Sequence, residues 1–129
     1  MKHLTPKEAQ AYLLAHPEAV LIDCRTEMEY FYVGHPLGAT HVAWQEAPDW
    51  EVNPQFAAQV LREAGSREHP VVLICRSGNR TLDAGAALER DGFAEVVNVL
   101  YGFEGDLDER SQRNRVNGWR HDGLPWEQM

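Results

Sequence analysis

Val71-Val72-Leu73-Ile74-Cys75, followed by Arg76-Ser77-Gly78-Asn79-Arg80-Thr81, is the stretch on which the fold turns. The first five residues are apolar without a polar alternation, which predicts a strand covered on both faces, as strands of parallel sheets are. A polar segment follows, and the spacing then predicts a helix from about Leu82 to Arg90, closed by Gly92. Strand, loop and helix in that order form the repeating unit of layered α/β proteins.

The same alternation extends outward. Downstream, Glu95-Val96-Val97-Asn98-Val99-Leu100 reads as another strand. Upstream, Asn53-Pro54 opens a helix in which Phe56, Ala57, Val60, Leu61 and Ala64 share one face, and Gly65 ends it. Val20-Leu21-Ile22-Asp23-Cys24 is a second doubly covered strand, and Ala39 to Ala43 a short third. Thr5-Pro6-Lys7-Glu8 carries a capping box with proline at the first helical position, so a helix runs from there to about His16, before Pro17. Thr26 and Glu29 repeat the capping pattern ahead of a short helix ending before Gly34. The polar tail from Tyr101 carries apolar anchors at Leu107, Val116, Trp119, Leu124 and Trp126, and its acidic run from Glu104 to Glu109 reads as a solvated face. Strands alternating with helices call for a mostly parallel sheet with right-handed crossovers.

The 129 residues suit one domain, 1–129, and 43% apolar types allow a globular core. Twelve basic against 20 acidic side chains leave a net charge of −8, which argues against a nucleic-acid partner. No apolar run is long enough to span a membrane, and the polar start lacks a signal-peptide core. Two cysteines make no disulfide framework, so a cytoplasmic protein is expected. The six histidines show no ligand spacing with the cysteines, and neither a metal nor an organic cofactor is expected.

In open α/β sheets, chemistry gathers where strands end and loops lead into helix N-termini. Cys75 stands at such a place. Loop amides and the helix dipole favour a thiolate there, and Arg76 and Arg80 add positive charge. Ser77 offers a hydroxyl, Asn79 extends the loop, and Gly78 allows the backbone to turn tightly. Cys24 also ends an apolar strand, but Arg25-Thr26-Glu27 after it supplies neither a glycine nor a second arginine, so it reads as a core thiol. Asp23 and Arg25 form either a brace behind the site or an ordinary structural ion pair. His35 and His41 read as local turn and strand-edge contacts. Trp44 and Trp50 flank Pro48 and read as packing rather than as pocket walls.

Cys75-Arg76-Ser77-Gly78-Asn79-Arg80 resembles the active-site loop of the rhodanese family, sulfurtransferases with a catalytic cysteine. Leu21-Ile22-Asp23-Cys24-Arg25 resembles the family's Asp-x-Arg strand, and Glu29-Tyr30 with Gly34-His35-Pro36-Leu37-Gly38-Ala39 its Glu-Tyr…Gly-His-x-x-Gly-Ala segment. Gly92-Phe93, Val97 to Leu100 and the tail from Gly118 to Trp126 are similar in turn, so the likeness runs from about residue 4 to 127. Three departures stand out. Pro36-Leu37 replaces a common Ile-Pro, Phe103 replaces a second glycine after Gly102, and Ser77 stands where thiosulfate-selective members often carry a basic residue. The resemblance implies a three-layer α/β domain with a central, mostly parallel five-stranded sheet flanked by helices. It implies a Cys75 persulfide that moves a sulfane sulfur from a small donor, thiosulfate or a persulfide, to cyanide or a cellular thiol. A protein donor or acceptor, as for a sulfur carrier or a regulatory module, is the competing expectation. Cysteine phosphatases on similar folds use Cys-x5-Arg, whereas here Thr81 takes that arginine's place and Arg80 comes one residue early.

Overall fold

The computed structural model describes residues 1–129 and runs in the order β1 (Lys2–Leu4), α1 (Pro6–Ala15), β2 (Val20–Asp23), a single π-helical turn (Glu29–Val33), β3 (His35–Pro36), β4 (Thr40–His41), α2 (Phe56–Ala64), β5 (Val71–Ile74), α3 (Arg80–Arg90), β6 (Val96–Val99) and β7 (Trp126–Glu127). Five strands form one sheet in the order β1-β6-β5-β2-β4, and every neighbouring pair is parallel. The two runs expected to be covered on both faces, β2 and β5, lie at its centre beside β6.

Alternate residues of these strands feed two cores. Ile22, Val71, Leu73 and Val96 meet Phe56, Val60 and Ala64 of α2 and Ala84 and Leu88 of α3 on one face. Leu21, Val72, Ile74, Val97 and Val99 meet Ala9 of α1, Phe103 and Trp119 on the other. This is the three-layer arrangement. Trp44 belongs to the first core, edge-on to Phe56 with ring centroids 5.1 Å apart, while Trp50 is exposed.

Several boundaries differ from expectation for physical reasons. The fifth strand is β1, where only a polar lead into α1 was read; it sits at the sheet edge, and its backbone pairs Lys2 with Val97 and Leu4 with Val99. The Thr5–Glu8 capping box forms in both directions, at 2.9 and 3.2 Å. Asn53 does not begin α2: its side chain accepts from the Gln55 amide at 2.9 Å, and the helix starts at Phe56. Helix α3 begins at Arg80 rather than Leu82, so the loop after β5 is only Cys75 to Asn79.

Of the expected tail anchors, Leu107 and Val116 are half exposed and Trp126 partly so. Trp119 is fully buried; its amide donates to the Gly102 carbonyl and its indole N–H to Pro125, both at 2.9 Å. Leu124 packs against the same core. Strand β7 then pairs antiparallel with β3, the Arg120 guanidinium donates to the Val33 carbonyl at 3.1 Å, and the Gln128 amide group to Tyr32 at 2.8 Å. Trp119→Ala should therefore cost about 3–5 kcal/mol of stability, as core aromatic truncations do; urea unfolding measures it.

Candidate active site

Cys75 follows β5 directly, at the carboxyl end of the sheet's central strand, and is only 1% exposed. A charged sulfur at such a depth must be met by hydrogen bonds, since burial disfavours the charged form. The Gly78 amide donates to Sγ at 3.1 Å, and the Thr81 hydroxyl lies 3.7 Å from it. Thr81 is in the first turn of α3, so the sulfur faces the positive end of an eleven-residue helix. These contacts, with the neighbouring Cys24 thiol as the largest contribution, outweigh desolvation and bring the Cys75 pKa from 9.0 down to about 5. At neutral pH the group is a thiolate.

The loop around it is held from outside. Gly78 has φ +99°, and a Cβ there would stand 3.2 Å from the Tyr101 amide nitrogen. Gly102 is more tightly constrained, since a Cβ would come within 2.3 Å of the Cys75 carbonyl oxygen and 2.6 Å of the Arg76 carbonyl carbon. Only glycine lets the turn after β6 press against the loop. The Phe103 amide then donates to the Cys75 carbonyl at 2.8 Å and the Glu104 amide to Arg76 at 2.9 Å. The acidic run thus begins as a backbone clamp, although most of its side chains are exposed.

Arg76 and Asn79 are exposed at the rim, Ser77 is half-buried, and Gly78 is buried. Arg80 does not stand free. Its guanidinium grips Glu29 with both nitrogens, at 2.7 and 2.9 Å, and both side chains are about one-fifth exposed. Glu29 also closes the expected capping box with Thr26, its amide donating to the Thr26 hydroxyl at 3.2 Å. Burial alone would raise the Glu29 carboxyl; the Arg80 contacts outweigh it and hold the carboxyl at about 2. Burial likewise opposes the Arg80 charge, but Glu29 more than offsets it and raises the Arg80 pKa.

Asp23 and Arg25 are a fully buried pair, with the guanidinium 2.6 Å from the carboxylate. Arg25 also donates to the Gly34 carbonyl at 2.5 Å and lies over the Phe103 ring at 4.6 Å. It therefore ties β2 to the segment carrying Glu29 and to the turn that clamps Cys75. The pair is structural, and its contacts reach the segments that surround Cys75. His35 stacks on Tyr30 at 3.8 Å and His41 bonds the Arg25 carbonyl at 2.7 Å, the local contacts expected of them.

Sequence reasoning passed over Thr81, Asn98 and the contact between the two cysteines. Thr81 bonds Asn98 at 2.6 Å, and Asn98 donates to His3 on β1 at 3.1 Å, a polar chain leading from exposed His3 at the sheet edge to the buried sulfur. An asparagine amid the valines of β6 was its only signal. None of the surface cavities is lined by Cys75 or its loop; the largest, about 520 Å³, lies beside Met28, Phe31 and Tyr32. No three His, Cys, Asp or Glu side chains converge to hold a metal ion, and no helix is long and apolar enough to cross a membrane.

Residues 5–109 match the Rhodanese-like domain family. Thiosulfate sulfurtransferase GlpE of Pseudomonas fluorescens is 35% identical over 80% of this chain and 82% of its own. An uncharacterized protein of Rickettsia conorii is 27% identical over 98% of both chains. The crystal structure of Rv0390 from M. tuberculosis superposes with a TM-score of 0.88 at 38% identity, covering 100% of this chain and 98% of the other.

Two measurements probe the electrostatics. Alkylation of Cys75 by iodoacetamide should be nearly independent of pH around neutrality and fall only as pH drops through about 5. Because the folded Glu29 carboxyl lies below its ordinary 4.5, its contribution to stability is fully present above 4.5 and is lost as pH falls through about 2. Glu29→Gln should thus cost about 2–3 kcal/mol at neutral pH, with the gap to wild type narrowing at pH about 3 in urea unfolding.

Proposed function

The chain belongs to the rhodanese-like domain family, and from that premise we propose that it is a sulfurtransferase whose Cys75 carries a sulfane sulfur between donor and acceptor. The observation that carries this reading is the shape of the cradle around the thiolate. It is a short loop with an amide 3.1 Å from Sγ and no guanidinium hydrogen-bonded to the sulfur, since Arg80 is bound to Glu29. A tetrahedral phosphoryl group would need a longer ring with an arginine closing it, and Thr81 occupies that position. One added sulfur atom is the smaller demand.

With thiosulfate as donor, the Cys75 thiolate attacks the outer sulfur, the S–S bond breaks, and sulfite leaves with the electron pair. The product is a Cys75 persulfide anion. Cyanide or a thiolate then attacks the terminal sulfur, and the pair released from that bond restores the Cys75 thiolate. Splitting the transfer through a covalent intermediate divides one difficult step into two easier ones. The Gly78 amide and the N-terminal turn of α3 serve both the thiolate and the persulfide, since both place negative charge at the same end of the helix. Arg76, exposed at the rim, attracts the anionic donor; Arg80 fixes the loop. The likeness to GlpE supports thiosulfate as one donor, and a cytoplasmic setting suits two free thiols.

One feature favours a second reading, a sulfur carrier serving a protein partner. At 1% exposure, a Cys75 persulfide would be shielded from water and stray thiols. Turnover with cyanide separates the two.

Cys75→Ser should abolish thiocyanate formation from thiosulfate and cyanide, with a loss of at least about a thousandfold, because a hydroxyl cannot hold sulfane sulfur at neutral pH. Mass spectrometry of the thiosulfate-treated wild type should show one added sulfur on the peptide containing Cys75. Cys75-dependent phosphate release from an aryl phosphate, without that added sulfur, would overturn the reading.

A further inference from the structure

Cys24 is a fully buried free thiol that makes and breaks no bond in the transfer chemistry. Its place in the sheet is specific. Strands β2 and β5 are parallel neighbours that pair Ile22 with Leu73 and Asp23 with Ile74, and the Cys24 amide still donates to the Ile74 carbonyl at 3.0 Å. One step further along the register sets Cys24 opposite Cys75. Ile22, Cys24, Leu73 and Cys75 belong to one core, whereas Leu21, Val72 and Ile74 belong to the other, so the two cysteines point to the same face. Neighbouring strands lie about 4.7–4.9 Å apart, inside the roughly 4.4–6.8 Å span between Cα atoms that a disulfide bridges.

We propose that Cys24 is a resolving thiol: when a peroxide oxidises Cys75 to the sulfenic acid, Cys24 closes a Cys24–Cys75 disulfide that keeps the nucleophile in a reversible, inactive form. In the first step the Cys75 thiolate attacks one peroxide oxygen, the O–O bond breaks, and hydroxide leaves. In the second the Cys24 sulfur attacks the sulfenic sulfur, an S–S bond replaces the S–O bond, and the departing hydroxide takes the Cys24 proton as water. The two sulfurs together lose two electrons and the peroxide gains them.

The neighbourhood gives this sequence its order. While Cys75 is a thiolate, its interaction with the neighbouring Cys24 thiol, together with burial, holds the Cys24 pKa well above 9.0. Cys24 therefore does not compete as a nucleophile in the resting protein. Conversion of Cys75 to a neutral sulfenic acid removes the adjacent negative charge, and Cys24 gives up its proton more readily. A second peroxide would have to diffuse in to reach the sulfinic acid, whereas Cys24 is already in place.

The proposal rests on the thiolate state of Cys75 but on no sulfur donor, and its test reads oxidation products instead of sulfur transfer, so the two readings fail separately. Reduced full-length protein is treated with a stoichiometric amount of hydrogen peroxide, blocked with N-ethylmaleimide and digested with trypsin. Expected are the loss of both maleimide-reactive thiols, a mass lower by two hydrogens, a linked pair of peptides 8–25 and 68–76, and complete reversal by dithiothreitol. In Cys24→Ser and Cys24→Ala, Cys75 should instead accumulate as sulfinic and sulfonic acid that dithiothreitol does not restore. The wild-type peptide map requires no variant to fold. Over-oxidised Cys75 beside a Cys24 that still takes maleimide, or a disulfide joining two molecules, would overturn the proposal.

Discussion

A negative charge on a sulfur atom that water scarcely touches is the constraint to which the rest of the structure answers. Moving such a charge out of water is costly, and the cost must be met by fixed donors because mobile solvent is absent. The protein meets it from three directions. The Gly78 amide arrives from the loop, the first turn of α3 from the helix, and the Cys24 thiol lies alongside on the next strand. None of these donors is a cation. Arg80, at the start of that helix, gives its hydrogen bonds to Glu29 and reaches the sulfurs only through its charge, while Arg76 is exposed at the rim. Neutral donors of this kind hold a thiolate without pairing it so strongly that it ceases to be a nucleophile.

Dipoles act over short distances, so they must be positioned, and the positioning is done by groups that never touch the sulfur. Glu29 fastens α3 to the turn after β2; Arg25 fastens β2 to Gly34 and Phe103; Gly102 lets the turn after β6 bear directly on the Cys75–Arg76 peptide. Each contact joins a different pair of strand ends. The face that carries Cys75 is thus assembled as a set of cross-braces between loops that would otherwise be independent.

Central elements were legible in the sequence because burial on both faces leaves an unbroken apolar run, as in Val71 to Ile74 and Val20 to Ile22, and because capping residues such as Thr5 and Glu8 act locally. The position of Cys75 could be read for the same reason, as the first residue beyond such a run. Long-range pairing left fainter marks. Lys2-His3-Leu4 is an edge strand of three residues, too short to show a period, and its strand character comes from β6. The engagement of Arg80 depends on Glu29, which lies 51 positions away, and a charged residue in a polar loop carries no sign of its partner. The meeting of the cysteines had a sign that was passed over: Ile22-Asp23-Cys24-Arg25 and Leu73-Ile74-Cys75-Arg76 are two apolar runs ending alike, and parallel pairing without offset brings like ends together. Chemistry carried by one loop could be read from one segment, whereas chemistry shared between strands needed the register.

The C-terminal tail bears on where this protein can be cut. The family match stops at residue 109, yet Trp119 fills the second core and β7 is laced to β3. The Arg120 and Gln128 side chains hold the carbonyls of Val33 and Tyr32, at the end of the same turn that presents Glu29 to Arg80. A fragment trimmed to the matched segment would keep every residue of the loop and lose the strap that holds the loop's brace in place. The minimal folded unit is therefore longer than the recognisable one, and a fusion partner or tag placed at Met129 would be joined directly to the strap that steadies the Glu29 turn.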